Sequence, residues 1–237
     1  MSALHLVKSV LLLFSGLAFV TVISPPRPAA EGKRPVYKGQ LFERVVRHLA
    51  RLACLGVAVV VFAQTMLLLS RSPSVGMKPL VPWLCPHPTG PLDALAAFPA
   101  RFLAGTALLA LGALLRAAAY WALGSLFTFE IVINDDHSLV TAGPYRYVRH
   151  PSYTGAVLIL LGTHLIHFGA AGYMTQCKNG NPPVLALEYM WRAGTVFAVF
   201  SLARRCSVED ALLRERFGKI WEEYRVDVPY RLLPYIY

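Results

Sequence analysis

The segment GPYRYVRHPSYTG, from Gly143 to Gly155, holds the densest group of polar side chains with chemical potential in this sequence. Pro151 suits the first turn of a helix, because that position needs no backbone N–H donor. The exposed N–H groups of such a helix terminus favour an anionic or polar ligand, and four suitable side chains surround it: Tyr145, Arg149, His150 and Tyr153. The alternative is a belt of interfacial Tyr, Arg and His, and composition alone leaves both interpretations open.

A second candidate group lies in the C-terminal tail. Apolar residues recur there at helical spacing, which predicts an amphipathic helix on or under a membrane surface: Leu213, Phe217, Ile220 and Tyr224, with Trp221 alongside. Steps of four residues backward along the same face lead to Glu209 and Arg205. Ionisable groups at membrane depth are costly and usually functional. The alternative is an i,i+4 ion pair at a helix start, worth only a few tenths of a kcal/mol.

The elements that position these groups are predicted to be membrane helices. Of the 237 residues, 56% are hydrophobic and only 15% are charged, which is typical of an integral membrane protein. A spanning helix needs about 20 mostly apolar residues, and five segments qualify: Leu4–Ile23, Val45–Leu69, Phe98–Leu123, Ser152–Tyr173 and Val184–Ala203. We therefore predict an all-α, polytopic helical membrane protein with about five transmembrane helices plus a C-terminal amphipathic interfacial helix.

The basic residues predict the orientation of these helices. The net charge is +10, and most of the 23 Lys and Arg residues lie in Ser24–Arg51, Gly124–Pro151 and Arg204–Tyr237. An N-terminus on the outside places all three segments on the cytoplasmic face, as the positive-inside rule requires. A cleaved signal peptide at the start would reverse this arrangement, so a retained anchor is favoured. We interpret the basic charge as facing anionic lipid rather than nucleic acid.

The remaining reactive residues give no metal or redox motif. The four cysteines have no CxxC spacing, and whether Cys85 and Cys177 pair across the non-cytoplasmic face stays open. His164 and His167 are interpreted as hydrogen-bonding groups between helices, because no carboxylate or thiol nearby completes a metal site. Arg116, inside the third span, is interpreted as snorkelling or paired rather than catalytic. We therefore predict no metal ion.

The order of the residues resembles the isoprenylcysteine carboxyl methyltransferase family. HSLVTAGPYRYVRHPSYTG is similar to the family's cofactor loop, LRAAAYWALGSLFT to the segment before it, and the tail pattern R-x-x-x-E-D-x-x-L-x-x-x-F-G to its catalytic helix. The resemblance covers roughly Leu114 to Pro234. It implies N-terminal transmembrane helices and linkers over 1–113, and a methyltransferase core with the cofactor loop and the C-terminal catalytic helix over 114–237.

The resemblance also implies a site for S-adenosyl-L-methionine. The cofactor-binding residues that it carries over are His137, Ser138, Leu139, Val140, Tyr145, His150, Pro151, Ser152, Tyr153 and Glu209. The implied catalytic residues are Arg205, Glu209 and Arg149, and Arg205 would also bind the substrate carboxylate. The chain departs from the family's pattern at Asp210, where glutamate is usual, and at Trp221, where tyrosine is usual. Glu130 stands near the position of a cofactor-contacting glutamine.

The implied activity is methylation of the C-terminal carboxylate of prenylated cysteine in CaaX-processed proteins such as Ras- or Rho-like small GTPases. The implied setting is the endoplasmic reticulum membrane, with a multi-pass chain in contact with lipid, the active site facing the cytoplasm, and no nucleic acid. One alternative is a phospholipid N-methyltransferase or another small-lipid methyltransferase, which a base near the acceptor would favour. A second alternative is a non-catalytic membrane scaffold or transporter.

Overall fold

The computed structural model describes residues 3–24, 39–70, 78–127 and 138–236, and within these ranges all regular structure is helical. The α-helices are α1 Ala3–Ile23, α2 Leu41–Ser70, α3 Val81–Leu84, α4 Ala100–Leu123, α5 Pro151–His167, α6 Tyr173–Gln176, α7 Pro182–Phe217 and α8 Lys219–Asp227. Short 3-10 turns lie at Lys78–Leu80, Leu92–Ala96, Gly124–Leu126 and Gly143–Arg146. The predicted all-α class is confirmed.

Three of the described helical segments are long and apolar enough to cross a membrane. They are α1, α2 and the segment Leu92–Leu123, which contains α4. These segments correspond to the first three predicted spans, and the chain is a polytopic helical membrane protein. Helix α5 has 17 residues and ends at His167 rather than at Tyr173. The total of five spans stays a prediction.

Helices α4 and α5 pack with their backbones in direct contact through two pairs of glycines. A Cβ atom placed on Gly112 would lie 2.6 Å from the carbonyl oxygen of Gly155, and one on Gly162 would lie 2.6 Å from that of Gly105. Small residues at seven-residue spacing on both helices thus let the backbones approach closely, as in other membrane helix pairs. This packing fixes the start of α5 beside the end of α4.

Arg116 joins three helices beside this contact. Its Nε donates to the carbonyl oxygen of Val22 at the end of α1 at 2.7 Å, and its Nη1 donates to Oγ of Ser152 in α5 at 2.8 Å. The guanidinium is buried, and a buried charge is tolerated where hydrogen bonds satisfy it. The interpretation of Arg116 as a paired residue is confirmed.

The C-terminal helices differ from the predicted amphipathic stripe. Helix α7 runs for 36 residues without a break, so the predicted fifth span and the tail residues Arg205 and Glu209 belong to one helix. Gly218 ends it with φ 53°, a left-handed conformation that glycine adopts without steric cost. The predicted stripe is thus divided between two helices, and Leu213 and Phe217 of α7 pack with Trp221 and Tyr224 of α8 in one apolar cluster. Ile220 of α8 does not belong to that cluster, and its place on a face against the membrane surface stays a prediction.

The other end of the helices is closed by a disulfide. Cys85, after α3, is bonded to Cys177, after α6, which answers the question that the sequence left open. The hydroxyl of Thr89 also donates to the carbonyl oxygen of Thr175 at 3.2 Å. Helix α5 leads from Pro151 at one end of the molecule to His167 near α6. The disulfide therefore lies at the end opposite to the residues of the predicted site.

Candidate active site

A cavity of about 300 Å³ opens where the start of α5 faces α2 and α7. Its wall is polar at one end, where the predicted site residues Tyr145, His150 and Glu209 lie. Its wall is apolar along the rest, between α2, α5 and α7, where the lining residues include Leu49, Ala53, Leu160, Leu187, Trp191 and Ala198. The cavity therefore joins a charged pocket to an apolar groove, within the size range of small-molecule sites.

Arg205 lies where the charged pocket meets the apolar groove. Its Nε donates to Oε1 of Glu209, one turn later in α7, at 3.1 Å, and its Nη1 lies 3.5 Å from Oε2 of Glu43 in α2. The guanidinium carbon also lies 5.6 Å from the ring centre of Tyr153. Burial alone would lower the pKa of Arg205, but the negative groups around it raise that pKa above its usual value. The group is a permanent cation in a largely apolar wall.

Glu209 is the more exposed of the two neighbouring carboxylates of α7 that line the cavity. Tyr153 donates its hydroxyl to Oε1 of Glu209, and Nδ1 of His150 lies 3.3 Å from Oε2. Burial would raise the pKa of Glu209, but the hydrogen bond from His150 and the charge of Arg205 outweigh it and lower the pKa to about 2. Glu209 is therefore an anion at any physiological pH, and it is suited to balance a cationic ligand.

His150 bridges the two neighbouring acids of α7. Its Nε2 lies 3.0 Å from Oδ1 of Asp210, while its Nδ1 faces Glu209. Burial would lower the pKa of His150, but its hydrogen bonds to Asp210 and Glu209 outweigh burial and raise it. Both ring nitrogens can donate at once only in the imidazolium form. The geometry therefore corresponds to a charged His150.

Arg149 faces away from Glu209 and binds the neighbouring acid. Its Nη2 and Nε donate to the two carboxylate oxygens of Asp210 at 3.1 Å and 3.3 Å, and its Nη1 donates to the carbonyl oxygen of Val228 at 2.7 Å. Arg231 adds a third cation, with Nε 2.9 Å from Asp210. This fork is the strong, directional form of an ion pair. Asp210 is thus the point where α5, α7 and the C-terminal segment are joined.

The C-terminal segment, residues 228–232, crosses the start of α5 as a strap. The backbone N–H groups of Arg149 and His150 donate to the carbonyl oxygens of Tyr230 and Arg231, both at 2.9 Å. In α8, the hydroxyl of Tyr224 donates to the carbonyl oxygen of Tyr145 at 2.8 Å. The strap therefore uses N–H donors at the start of α5 that would otherwise be unsatisfied.

The structure brings most of the predicted site residues to one cavity. The residues that line it are Ser138, Leu139, Val140, Tyr145, Arg149, His150, Ser152, Tyr153, Arg205 and Glu209. Pro151 is buried at the first turn of α5, where it starts the helix as its sequence position predicts. His137 and Glu130 lie outside the described residues. Their roles, and the binding roles of the others, stay predictions.

Two further residues of this site were missed or underrated in the sequence. Glu43 lies in α2, distant along the chain, and no local pattern indicates that it meets Arg205. Trp221 was noted in the sequence beside the apolar stripe and as a departure from a family pattern, but not as a site residue, and it lines the cavity and is buried. Its Nε1 has no hydrogen-bond partner among the described parts of the chain. A buried donor of this kind usually marks a place where a ligand or water supplies the acceptor.

Known proteins are similar in sequence to about half of this chain. Residues 105–177 match the model of the isoprenylcysteine carboxyl methyltransferase family, which confirms the resemblance. Protein-S-isoprenylcysteine O-methyltransferase of Schizosaccharomyces pombe is 33% identical over 51% of this chain and 44% of its own length. Protein-S-isoprenylcysteine O-methyltransferase B of Arabidopsis thaliana is 32% identical over 53% and 55%, respectively. The human protein-S-isoprenylcysteine O-methyltransferase is 33% identical over 53% and 38%. The chain thus spans about half the length of the curated relatives it matches.

Proposed function

We propose that this chain transfers a methyl group from S-adenosyl-L-methionine to the C-terminal carboxylate of a prenylated cysteine. The observation that carries the proposal is the position of Arg205, a buried cation at the junction of a charged pocket and an apolar groove. An acceptor with an anionic end and a long apolar tail matches such a junction. The similarity to proteins named protein-S-isoprenylcysteine O-methyltransferase supports the same reaction.

The charged pocket fits a cofactor that carries both charge and hydrogen-bonding groups. Glu209 supplies a fixed negative charge, and the indole N–H of Trp221 supplies a buried donor that lacks a partner within the described residues. Ser138, Leu139 and Val140 line the wall beside them. When bound, S-adenosyl-L-methionine supplies an electrophilic methyl group on a sulfonium. Glu209 would hold the positively charged part of this cofactor, with Tyr145 and His150 beside it.

The reaction that we propose needs no general base. A carboxylate acceptor is already ionised at neutral pH, so the residues only have to bind and orient it. Arg205 would hold the acceptor carboxylate, and the ion pair with Glu209 keeps its guanidinium beside the cofactor pocket. Alignment of reacting groups of this kind supplies much of the rate of a transfer between two bound partners. The apolar wall excludes water, which would otherwise solvate both charges and slow their neutralisation.

The apolar groove gives a route for the prenyl group. Its wall is formed by α2, α5 and α7, and the outward faces of α2 and α7 carry exposed apolar side chains such as Leu52, Leu55 and Phe200. We propose that a farnesyl or geranylgeranyl tail enters from the bilayer between these helices, while the cofactor enters from the aqueous side. Prenylated CaaX proteins, including Ras- or Rho-like GTPases, are the proposed partners, at the endoplasmic reticulum membrane.

The test is a methylation assay on membranes that contain the full chain. Labelled S-adenosyl-L-methionine is supplied with N-acetyl farnesylcysteine and phosphatidylethanolamine as competing acceptors. We expect base-labile methyl ester on the farnesylcysteine. Label in the phospholipid instead would support a small-lipid methyltransferase and overturn the proposed acceptor. The absence of any S-adenosyl-L-methionine binding would favour a scaffold or transporter.

A further inference from the structure

Glu43 is a carboxylate of α2 that reaches the centre of the candidate active site from outside the methyltransferase half. It lies in the first turn of α2, well before the residues 105–177 that match the family model. Its side chain is only 2% exposed, and Oε2 lies 3.5 Å from Nη1 of Arg205. A buried carboxylate is rare unless a cation pairs with it. The pair therefore links the N-terminal helices to the residue proposed to bind the acceptor.

The guanidinium of Arg205 is held from two different helices. Glu209 contacts Nε from within α7, and Glu43 contacts Nη1 from α2, so two edges of the planar group are paired. The ring of Tyr153 lies beside the plane at 5.6 Å. A planar, forked donor group recognises a carboxylate only in a defined orientation. Two carboxylates and one ring together fix that orientation more firmly than the ion pair within α7 alone.

The packing of neighbouring residues in the first turn of α2 fixes the position of Glu43. Its neighbour Phe42 is buried and packs against Phe197 of α7 with the ring centres 6.0 Å apart. Phe42 and Val46, one turn later, line the cavity on the groove side of Arg205. The start of α2 is thus both a wall of the groove and the carrier of the second carboxylate. A shift of this turn would move the groove wall and the guanidinium together.

We propose that Glu43 is a positioning residue that orients Arg205 for the acceptor carboxylate. The N-terminal helix α2 then sets the acceptor geometry of a site whose proposed catalytic and cofactor-binding residues lie in the C-terminal half. This inference rests on the proposed function, because it assigns Glu43 to the acceptor side and not to the cofactor side. The opposite possibility is that Glu43 competes with the acceptor for Arg205, and the two predict opposite changes in acceptor KM.

The test compares Glu43→Gln and Glu43→Asp with the wild type as full-length chains. Gln keeps the shape and removes the charge, whereas Asp keeps the carboxylate. We expect Glu43→Gln to raise the KM for N-acetyl farnesylcysteine about tenfold, in line with the loss of one charge-assisted contact. The Kd for S-adenosyl-L-methionine, measured by titration of the purified protein, should change less than twofold. Glu43→Asp should give an acceptor KM closer to that of the wild type.

Glu215→Gln is the matched control, because Glu215 is an exposed carboxylate of α7 and its loss removes the same charge. It should leave both constants unchanged. A lower acceptor KM in Glu43→Gln overturns the inference, since it shows competition. Equal losses of acceptor and cofactor affinity, or an Asp variant no better than Gln, also overturn it, since they indicate a general structural role. A wild-type chain that neither binds nor methylates the acceptor overturns the proposed function as well.

Discussion

At the residue scale, the adjacent acids Glu209 and Asp210 have different surroundings. Asp210 joins structural elements, whereas Glu209 is available to a ligand. Asp210 is buried and accepts from Arg149, His150 and Arg231. Glu209 keeps 22% of its side chain exposed towards the cavity. Both acids line the cavity, but the oxygens of Asp210 are taken up by three cationic side chains and its side chain is only 6% exposed. Glu209 is therefore the acid that a ligand can reach.

Substitution of Arg205 by Ala should abolish the proposed methyl transfer without preventing membrane insertion. We expect kcat/KM for N-acetyl farnesylcysteine to fall by about 10²-fold to 10³-fold, because the acceptor carboxylate loses its fixed cation in a water-excluded site. Activity and membrane-extracted protein are measured together. Arg204→Ala is the control, since Arg204 is the adjacent exposed cation of α7. Near-normal turnover in Arg205→Ala would remove this residue from the mechanism.

The charge of His150 gives the molecule a pH-dependent stability. Its pKa is raised in the folded state by the hydrogen bonds to Asp210 and Glu209, despite the burial that lowers it. The imidazolium thus stabilises the fold fully below its ordinary pKa of about 6.5, and this contribution is lost as the pH rises through the higher folded-state pKa. We expect the Tm in detergent to fall more steeply in the wild type than in His150→Gln as the pH is raised above about 6.5. Parallel curves would contradict a charged His150.

At the scale of elements, the α4–α5 contact positions the first turn of α5 and therefore His150 and Tyr153. Gly112→Ala would place a methyl group 2.6 Å from a backbone oxygen of α5, so the helices must separate. We expect a loss of about 1–3 kcal/mol of stability, as for other overpacked interfaces, measured as a lower Tm in detergent. Gly194→Ala is the control, because its nearest contact is an ordinary 3.6 Å from Leu49. An equal Tm in both variants would contradict close α4–α5 packing.

The sequence predicts those features of the fold and of the site that depend on residue spacing along the chain. Spacing along the chain predicts the apolar lengths of the first three spans, the helix start at Pro151 and the i,i+4 pairing of Arg205 with Glu209. The division of the tail between two helices was missed because one residue with positive φ, Gly218, ends α7 and interrupts the periodicity. Glu43 was missed because an ion pair between distant helices leaves no periodic signal. The glycines of α4 and α5 do carry a seven-residue spacing that could have been used.

At the scale of the whole molecule, the site and the disulfide lie at opposite ends of the helices. The first turn of α2 contacts Arg205. The segment that follows the C-terminal end of α2 carries Cys85, which is bonded to Cys177 beyond the C-terminal end of α5. Disulfides persist in oxidising compartments, and cytosolic thiols stay reduced. The disulfide therefore supports the orientation that the basic residues predict, with Arg205 and the strap facing the cytoplasm. Two independent kinds of chemistry, charge distribution and thiol oxidation, favour the same topology.

This topology predicts which thiols a membrane-impermeant maleimide can label in sealed microsomes. Asn179→Cys places a thiol at an exposed position two residues after Cys177, and we expect it to react only after the membrane is permeabilised. Lys219→Cys places a thiol at an exposed position of α8 and should react without permeabilisation, because α8 packs beside the proposed site, at the end of the molecule that this topology places in the cytoplasm. The native free thiols Cys54 and Cys206 are replaced by Ser in both variants to remove background. Labelling of Asn179→Cys in intact vesicles, with Lys219→Cys protected, would invert the orientation and put the candidate active site in the lumen.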